Sequence, residues 1–301
     1  MQIRANGITI EVDDTGAAPA ADGTTRPVVM LIMGLGMQLI AWPMDLVQAL
    51  VSAGYRVVRF DNRDIGLSQH FDDAGVPIIL WAGLKARLGL AVRSAYSLTD
   101  MANDAIGVLD ALNIAKAHIV GVSMGGMIAQ RVALAAPPRC MSLTSIMSTS
   151  SARGLPEAKP HVVRALISRP ASLDAQDIGD FYVKLISVIG SPGFPVPEAE
   201  VRARSAVAFK RSYHPQGVLR QMMAIMADTR RANELKNVTV PTLVVHGTED
   251  VLVPLACGHD TAKRISASKF VPIEGMGHDL PPGVVEHLLV SLIPHFRAAD
   301  H

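Results

Sequence analysis

The chain has 301 residues, enough for one large α/β domain or two small ones with a sizeable buried core. Its 28 basic and 27 acidic residues leave a formal charge of +1, which excludes the broad positive field that gathers nucleic acid or anionic membrane and points to a small or neutral partner. The N-terminus shows no basic region followed by an apolar run, and no uninterrupted apolar stretch of about 18 residues occurs, so a soluble cytoplasmic protein without a membrane partner is expected.

In chain order, MQIRA and ITIEVDD meet at Asn6-Gly7, a pair that supplies the positive φ angles of a tight hairpin turn. A loop rich in Ala, Gly and Pro follows. PVVMLIM (27–33) is then wholly apolar, which suits a strand covered on both faces. A helix is expected near 40–53, a strand at 55–60, a helix at 98–112, a strand at 117–122, a helix from 124 to about 136 and a strand at 141–147. This β-then-α rhythm predicts a mostly parallel sheet flanked by helices, with ligands gathering at the carboxyl ends of its strands. From 149 to 236 the rhythm breaks into successive helices. Ile178, Phe181, Tyr182, Leu185, Ile186 and Ile189 keep one helical face, as do Val218, Leu219, Met222, Met223 and Met226. Strands at 241–247 and 269–273 and helices at 254–264 and 284–296 complete an eight-stranded core of 1–148 and 237–301, with 149–236 as a helical cap after strand 6. Cys140 and Cys257 have no metal-like spacing and read as buried thiols.

The strand at 117–122 runs into GVSMGG and a helix, which puts Ser123 on a cramped corner where φ is forced positive. Gly121 and Gly125 relieve the crowding. The hydroxyl is thereby lifted above the sheet at a helix N-terminus with the Met124 amide beside it, the geometry of a Gly-x-Ser-x-Gly nucleophile elbow. Such a serine needs a base, an acid that orients the base and a second amide donor. Of ten histidines, only His278, in EGMGHDLPPG, falls between the final strand and the final helix; His246 at a strand end more plainly supports the turn that follows it. HGTEDVLVP offers Asp250 and, as the lesser choice, Glu249, whereas SLTSIMSTSS after the nucleophile helix carries no carboxylate. The loop MGLG after the first long strand offers the Leu35 N–H.

The ordered set MGLG, DNRDIGLS, GVSMGG, HGTED and GMGHDLP resembles the α/β-hydrolase superfamily, and within it the aclacinomycin methylesterase type of carboxylesterase. The resemblance spans nearly the whole chain and is weakest in the insertion. It implies Ser123 as nucleophile, His278 as base, Asp250 as acid, the Leu35 and Met124 amides as oxyanion hole, and neither metal nor organic cofactor. Met33 stands where many members have histidine, which bears on the shape of the loop. Arg63 and Asp64 are expected to brace the backbone rather than to join the chemistry.

These readings converge on a serine hydrolase that cleaves a carboxylic ester through an acyl-enzyme. Because the base must be neutral, activity is expected to rise through roughly pH 6 to 8. Phe181, Tyr182, Met222, Met223 and Met226 are read as core or as an apolar pocket for an uncharged, moderately hydrophobic small-molecule substrate. In 76–96, Trp81, Leu84, Leu88 and Val92 fall near one helical face and Lys85, Arg87 and Arg93 near the other, as in a lid helix or homodimer contact, with a membrane-surface segment as the alternative. Lactone opening, carbon–carbon bond hydrolysis and perhydrolysis can run on the same triad, and a ligand-binding receptor on this fold is the non-enzymatic rival. A serine at the elbow excludes the relatives that use an aspartate nucleophile.

Overall fold

Alternation with a period of two governs how the sheet is covered. In β3 (Val28–Ile32) all five residues are buried. Val28, Met30 and Ile32 enter one apolar cluster and Val29 and Leu31 the other, as a strand packed on both faces requires. β5 (Ala117–Val122) does the same, with Ala117 and Ile119 on one side and Val120 and Val122 on the other. The computed structural model describes residues 1–16, 26–88 and 90–300. Most of the loop rich in Ala, Gly and Pro that the sequence predicts after the second strand lies outside them.

The eight strands run in the order β1-β2-β4-β3-β5-β6-β7-β8. β1 (Gln2–Ala5) and β2 (Ile8–Asp14) form the expected hairpin, with Asn6 at φ 48° and Gly7 at φ 79°. β2 pairs antiparallel with β4 (Arg56–Phe60), and all later pairings, through β6 (Cys140–Ile146), β7 (Thr242–Gly247) and β8 (Ser268–Ile273), are parallel. Helices α3 (Leu98–Ala111) and α4 (Met124–Ala135) cover one face. α1 (Met44–Ser52) and α11 (Pro282–Ala299) cover the other. α3 starts on a capping box in which the Ser97 hydroxyl accepts the Asp100 N–H while the Asp100 carboxylate accepts the Ser97 N–H.

The sequence predicts one helix over 40–53. The structure instead has a 3₁₀ turn at Leu39–Ala41 and starts α1 only after Pro43, because proline holds the preceding residue extended, with Trp42 at ψ 122°. The 76–96 segment also differs. α2 covers Ile79–Arg87, and Leu88 and Val92 lie beyond its end; the Arg87 side chain is outside the described residues. Trp81 and Leu84 are exposed. Trp81 lines, with Ile78, Val92, Arg93 and Met223, an apolar groove of about 270 Å³ in which Lys85 sits 5.9 Å from the Trp81 ring.

Between β6 and β7 the described chain forms α5 (Pro160–Ile167), α6 (Ala175–Ile189), α7 (Glu198–Arg211), α8 (Pro215–Ala227) and α9 (Arg231–Glu234). α6 follows its predicted stripe, with Ile178 and Ile189 buried and Phe181, Tyr182, Leu185 and Ile186 half-buried. α8 departs from its stripe: Met222, Met223 and Met226 are half-buried, while Arg220, Gln221 and Ala224 are fully enclosed. The cause is Asp64, a buried carboxylate in the turn after β4, which takes both Arg220 Nε and Nη2 at 2.8 Å. An unpaired charge there would cost several kcal/mol, so the guanidinium must turn inward. Arg211 reaches Asp61 in the same turn at 2.7 Å, and Arg63 pairs with Asp104. Arg63 and Asp64 thus brace the chain, as predicted.

Under α11, His118 is bonded to Ser142 Oγ and Asp300 and packs 4.6 Å from Phe296. Burial lowers the His118 imidazole despite Asp300, and pushes His295 down to about 4 with only partial relief from the backbone at Leu143. Both rings therefore bind fewer protons folded than unfolded. Their contribution is intact above about pH 6.5 and is lost as pH falls toward 4. The shift of His295 is worth at most about 3 kcal/mol, reduced to about 1–2 because the residue is only half-buried. Denaturant melts of the protein and of His295→Gln at pH 7.5 and 4.5 should show a smaller acid loss in the variant, and equal losses would refute the assignment.

Candidate active site

In the sheet, β3 and β5 are neighbours, but the chain leaves β3 toward β4 on one side and β5 toward β6 on the other. A crevice opens at such a reversal, at the carboxyl ends of the strands. Two loops meet there: 33–36 after β3 and the β5-to-α4 corner at Ser123.

Ser123 has φ 55° and ψ −119°, a strained conformation for a residue with a Cβ. It is held by its own N–H to Ile146 O at 2.9 Å and by the Ser148 hydroxyl, which donates to Ser123 O at 2.7 Å. The flanking glycines are obligatory: a Cβ on Gly121 would sit 2.0 Å from Gly125 O, and one on Gly125 would sit 2.0 Å from Ile32 O. The 33–36 loop lies against the serine, since a Cβ on Gly34 would be 3.3 Å from Ser123 Cβ. Asn62 Nδ2 ties down Met33 O at 2.9 Å, and Gln221 accepts the Gly36 N–H at 3.0 Å, with Gly36 at φ 70°. Among the described residues neither the Leu35 nor the Met124 N–H has an acceptor. Met124 follows Ser123 directly, and Leu35 follows Gly34, the residue that lies against it.

His278 Nε2 lies 3.0 Å from Ser123 Oγ, and its Nδ1 lies 2.7 Å from Asp250 Oδ2. Asp250 Oδ1 accepts the Leu252 and Val253 N–H groups at 3.0 and 2.8 Å. Burial alone would raise this carboxyl, but the charge of His278, hydrogen bonds from His246 and His278, and the Val253 amide hold it well below the ordinary carboxylate range. Glu249, the lesser sequence candidate, is exposed and contributes its backbone N–H to Met276 O. His246 supports the following turn through Val253 O at 2.7 Å, as its position predicted. A hydroxyl, an imidazole and a buried carboxylate in series can strip a proton from Ser123 as it attacks and stabilise the imidazolium that results.

The five apolar residues read as core or pocket are all half-buried. Phe181 and Tyr182 form an edge-on ring pair, and Met223 lines the groove facing Trp81. The α8 residues that reach the glycine loop are Val218, packed on Gly36, and Gln221. Sequence reading missed Gln221, Asn62 and Ser148, whose partners are distant in the chain. Among the described residues the one group able to approach a metal is His70, Asp72 and His214. Its atoms are already engaged: His214 Nε2 lies 2.8 Å from Asp72, the same oxygen takes Arg220 Nη2 at 3.1 Å, and the imidazoles stack in parallel at 3.8 Å. The guanidinium opposes a cation there.

Among known proteins the chain is similar to rhodomycin D methylesterase DauP of Streptomyces sp. (strain C5) and to rhodomycin D methylesterase DnrP of Streptomyces peucetius. Each is 29% identical over 290 residues, covering 90% of this chain and 91% of the relative. Its fold is similar to that of a mutant meta-cleavage product hydrolase, CumD from Pseudomonas fluorescens IP01, with a TM-score of 0.75 and 20% identity over 100% of this chain and 98% of that one. The model of the alpha/beta hydrolase fold family matches residues 27–281, from the strand that leads into the glycine loop to the residues just past His278, and the chain belongs to that family.

Proposed function

We propose that the protein is a serine hydrolase that cleaves a carboxylic ester of a small to medium, uncharged, moderately hydrophobic molecule. The observation that carries this reading is the unbroken hydrogen-bond series Ser123–His278–Asp250 beside two unpartnered amides. His278 Nε2 takes the Ser123 proton as Oγ bonds to the ester carbonyl carbon, and the carbonyl oxygen, now negative, is held by the Leu35 and Met124 amides. The carbon–alkoxy bond breaks and the alcohol leaves with the proton from His278. Water then gives a proton to the same imidazole, attacks the acyl carbon and frees the acid and Ser123 Oγ.

The helical segment 149–236 is taken as a cap over this crevice, contributing Phe181, Tyr182, Met222, Met223 and Met226 as apolar surface. Two relatives named as methylesterases support an ester with a small alcohol portion. Alkyl and p-nitrophenyl esters of graded acyl length, assayed beside lactones and vinylogous diketones, test the reading. Preferential turnover of short-alcohol esters together with fluorophosphonate labelling of Ser123 is expected. Absence of labelling with no ester turnover would overturn it, and turnover confined to lactones or diketones would replace its reaction.

A further inference from the structure

A catalytic imidazole must be fixed at its backbone as well as at its ring. Asp250 orients the ring of His278, but the backbone ahead of it is Gly275-Met276-Gly277, with Gly275 at φ 73°, a permissive stretch that would wander if left alone. From the core side it is tied by the Gly275 N–H to Thr248 Oγ1 at 3.0 Å and by the Glu249 N–H to Met276 O at 3.0 Å. On the other side its bonds come from residues 189–193, the last residue of α6 and the turn that follows it. His278 N–H donates to Ile189 O at 2.7 Å, and Gly193 N–H donates to Gly275 O at 2.9 Å. Gly277 N–H donates to Ser191 Oγ at 2.9 Å. Asp279 Oδ1 accepts both the Ser191 N–H, at 2.9 Å, and the Ser191 hydroxyl. The two backbones are so close that a Cβ on Gly277 would sit 2.3 Å from Gly190 O.

From this geometry we infer that Ser191 and Asp279 are positioning residues for the base, so that the insertion sets the catalytic histidine as well as contributing apolar surface. The inference rests on the serine hydrolase reading above. The Ser191 oxygen is the joint: it accepts from the residue before His278 and donates to the residue after it. Ser191 is 4% exposed, so water cannot readily replace either bond. Removing that oxygen leaves the Gly277 N–H without its acceptor and gives the half-buried Asp279 carboxylate one partner fewer. The histidine loop then samples positions in which Nε2 is off line from Ser123 Oγ.

Misplacing a base without changing the substrate pocket weakens the transition state alone. Ser191→Ala and Asp279→Ala should each lower kcat about 10–100-fold, the size of a displacement near 1 Å, with little change in KM. Asp279→Asn keeps an oxygen that can accept from Ser191 and should recover most of the Asp279→Ala loss. The double variant Ser191→Ala/Asp279→Ala should lose little beyond the worse single one, since both cut the same link. Fluorophosphonate labelling of Ser123 should slow in parallel, and the downfield proton resonance of the His278–Asp250 hydrogen bond should broaden or move in Ser191→Ala.

Wild-type kcat, labelling rate and proton resonance in folded Ser191→Ala and Asp279→Ala, whatever their melting temperatures, would overturn the inference. So would a loss confined to KM, which would make the clip part of substrate binding. An unlabelled, inactive wild type would instead strike the parent reading. Asp279→Asn and Asp279→Ala decide the matter if Ser191→Ala does not fold.

Discussion

Ser123→Ala is expected to lower kcat about 10⁶-fold, the loss found where a serine nucleophile acts with its histidine as a unit. The variant should keep the fold. Alanine has the same Cβ as serine and suffers the same positive φ, and the backbone bonds that hold the corner, Ser123 N–H to Ile146 O and the Ser148 hydroxyl to Ser123 O, do not involve Oγ. What disappears is the atom proposed to form the acyl bond. Residual rate should come from the Leu35 and Met124 amides and from substrate binding, which in other triads sustain about 10³–10⁴ over water. Adding His278→Ala should then cost almost nothing more, because a base without a nucleophile has no proton to take. Single-turnover assays and fluorophosphonate labelling read this directly. A labelled Ser123→Ala protein, or one within tenfold of wild type, would remove the proposed chemistry.

Asp250→Asn should lower kcat about 10⁴-fold, and Glu249→Gln should leave it near wild type. In the variant, the amide oxygen can still accept the Leu252 and Val253 N–H groups in place of Oδ1. The amide nitrogen then faces His278 Nδ1 and donates to it, which moves the ring proton to Nε2, the atom that must accept from Ser123. Geometry survives while the tautomer is wrong. A stability effect accompanies this: the folded carboxyl is held below its unfolded value near 3.9, so its contribution is present above about pH 4 and fades as pH falls further. Asp250→Asn should therefore be the less stable protein at neutral pH, with the gap closing in strong acid. Glu249 is exposed and uses only its backbone in this loop. A Glu249→Gln loss larger than that of Asp250→Asn would reverse the assignment of the acid.

Much of the architecture was legible in the sequence because its signals are local. The apolar runs at 27–33 and 117–122 announce strands covered on both faces, Asn6-Gly7 announces the hairpin, and Pro137-Pro138 stops α4. Gly121 and Gly125 around Ser123 mark the corner, since no larger residue fits there. The less legible parts were those in which a side chain answers to a distant partner. The methionine stripe of α8 looks like its inward face by periodicity, yet Arg220 and Gln221 are the enclosed residues, because Asp64 and Gly36, more than a hundred positions earlier, present a charge and an amide to be satisfied. Trp81 and Leu84 follow the same logic in reverse, remaining exposed where helical spacing suggests packing.

By itself the sequence determined the eight strands and the main core helices, the strained corner at Ser123 and a short choice of partners for it, since each depends on neighbours within a turn or two of chain. Only the tertiary structure decided which carboxylate faces His278, which side of α8 turns inward, and that Ser191, 88 residues from Asp279, holds the histidine loop. Hydrophobic burial leaves a period in the chain. The pairing of buried polar groups leaves none, because a hydrogen bond selects its partner by position in space and carries no fixed spacing in sequence.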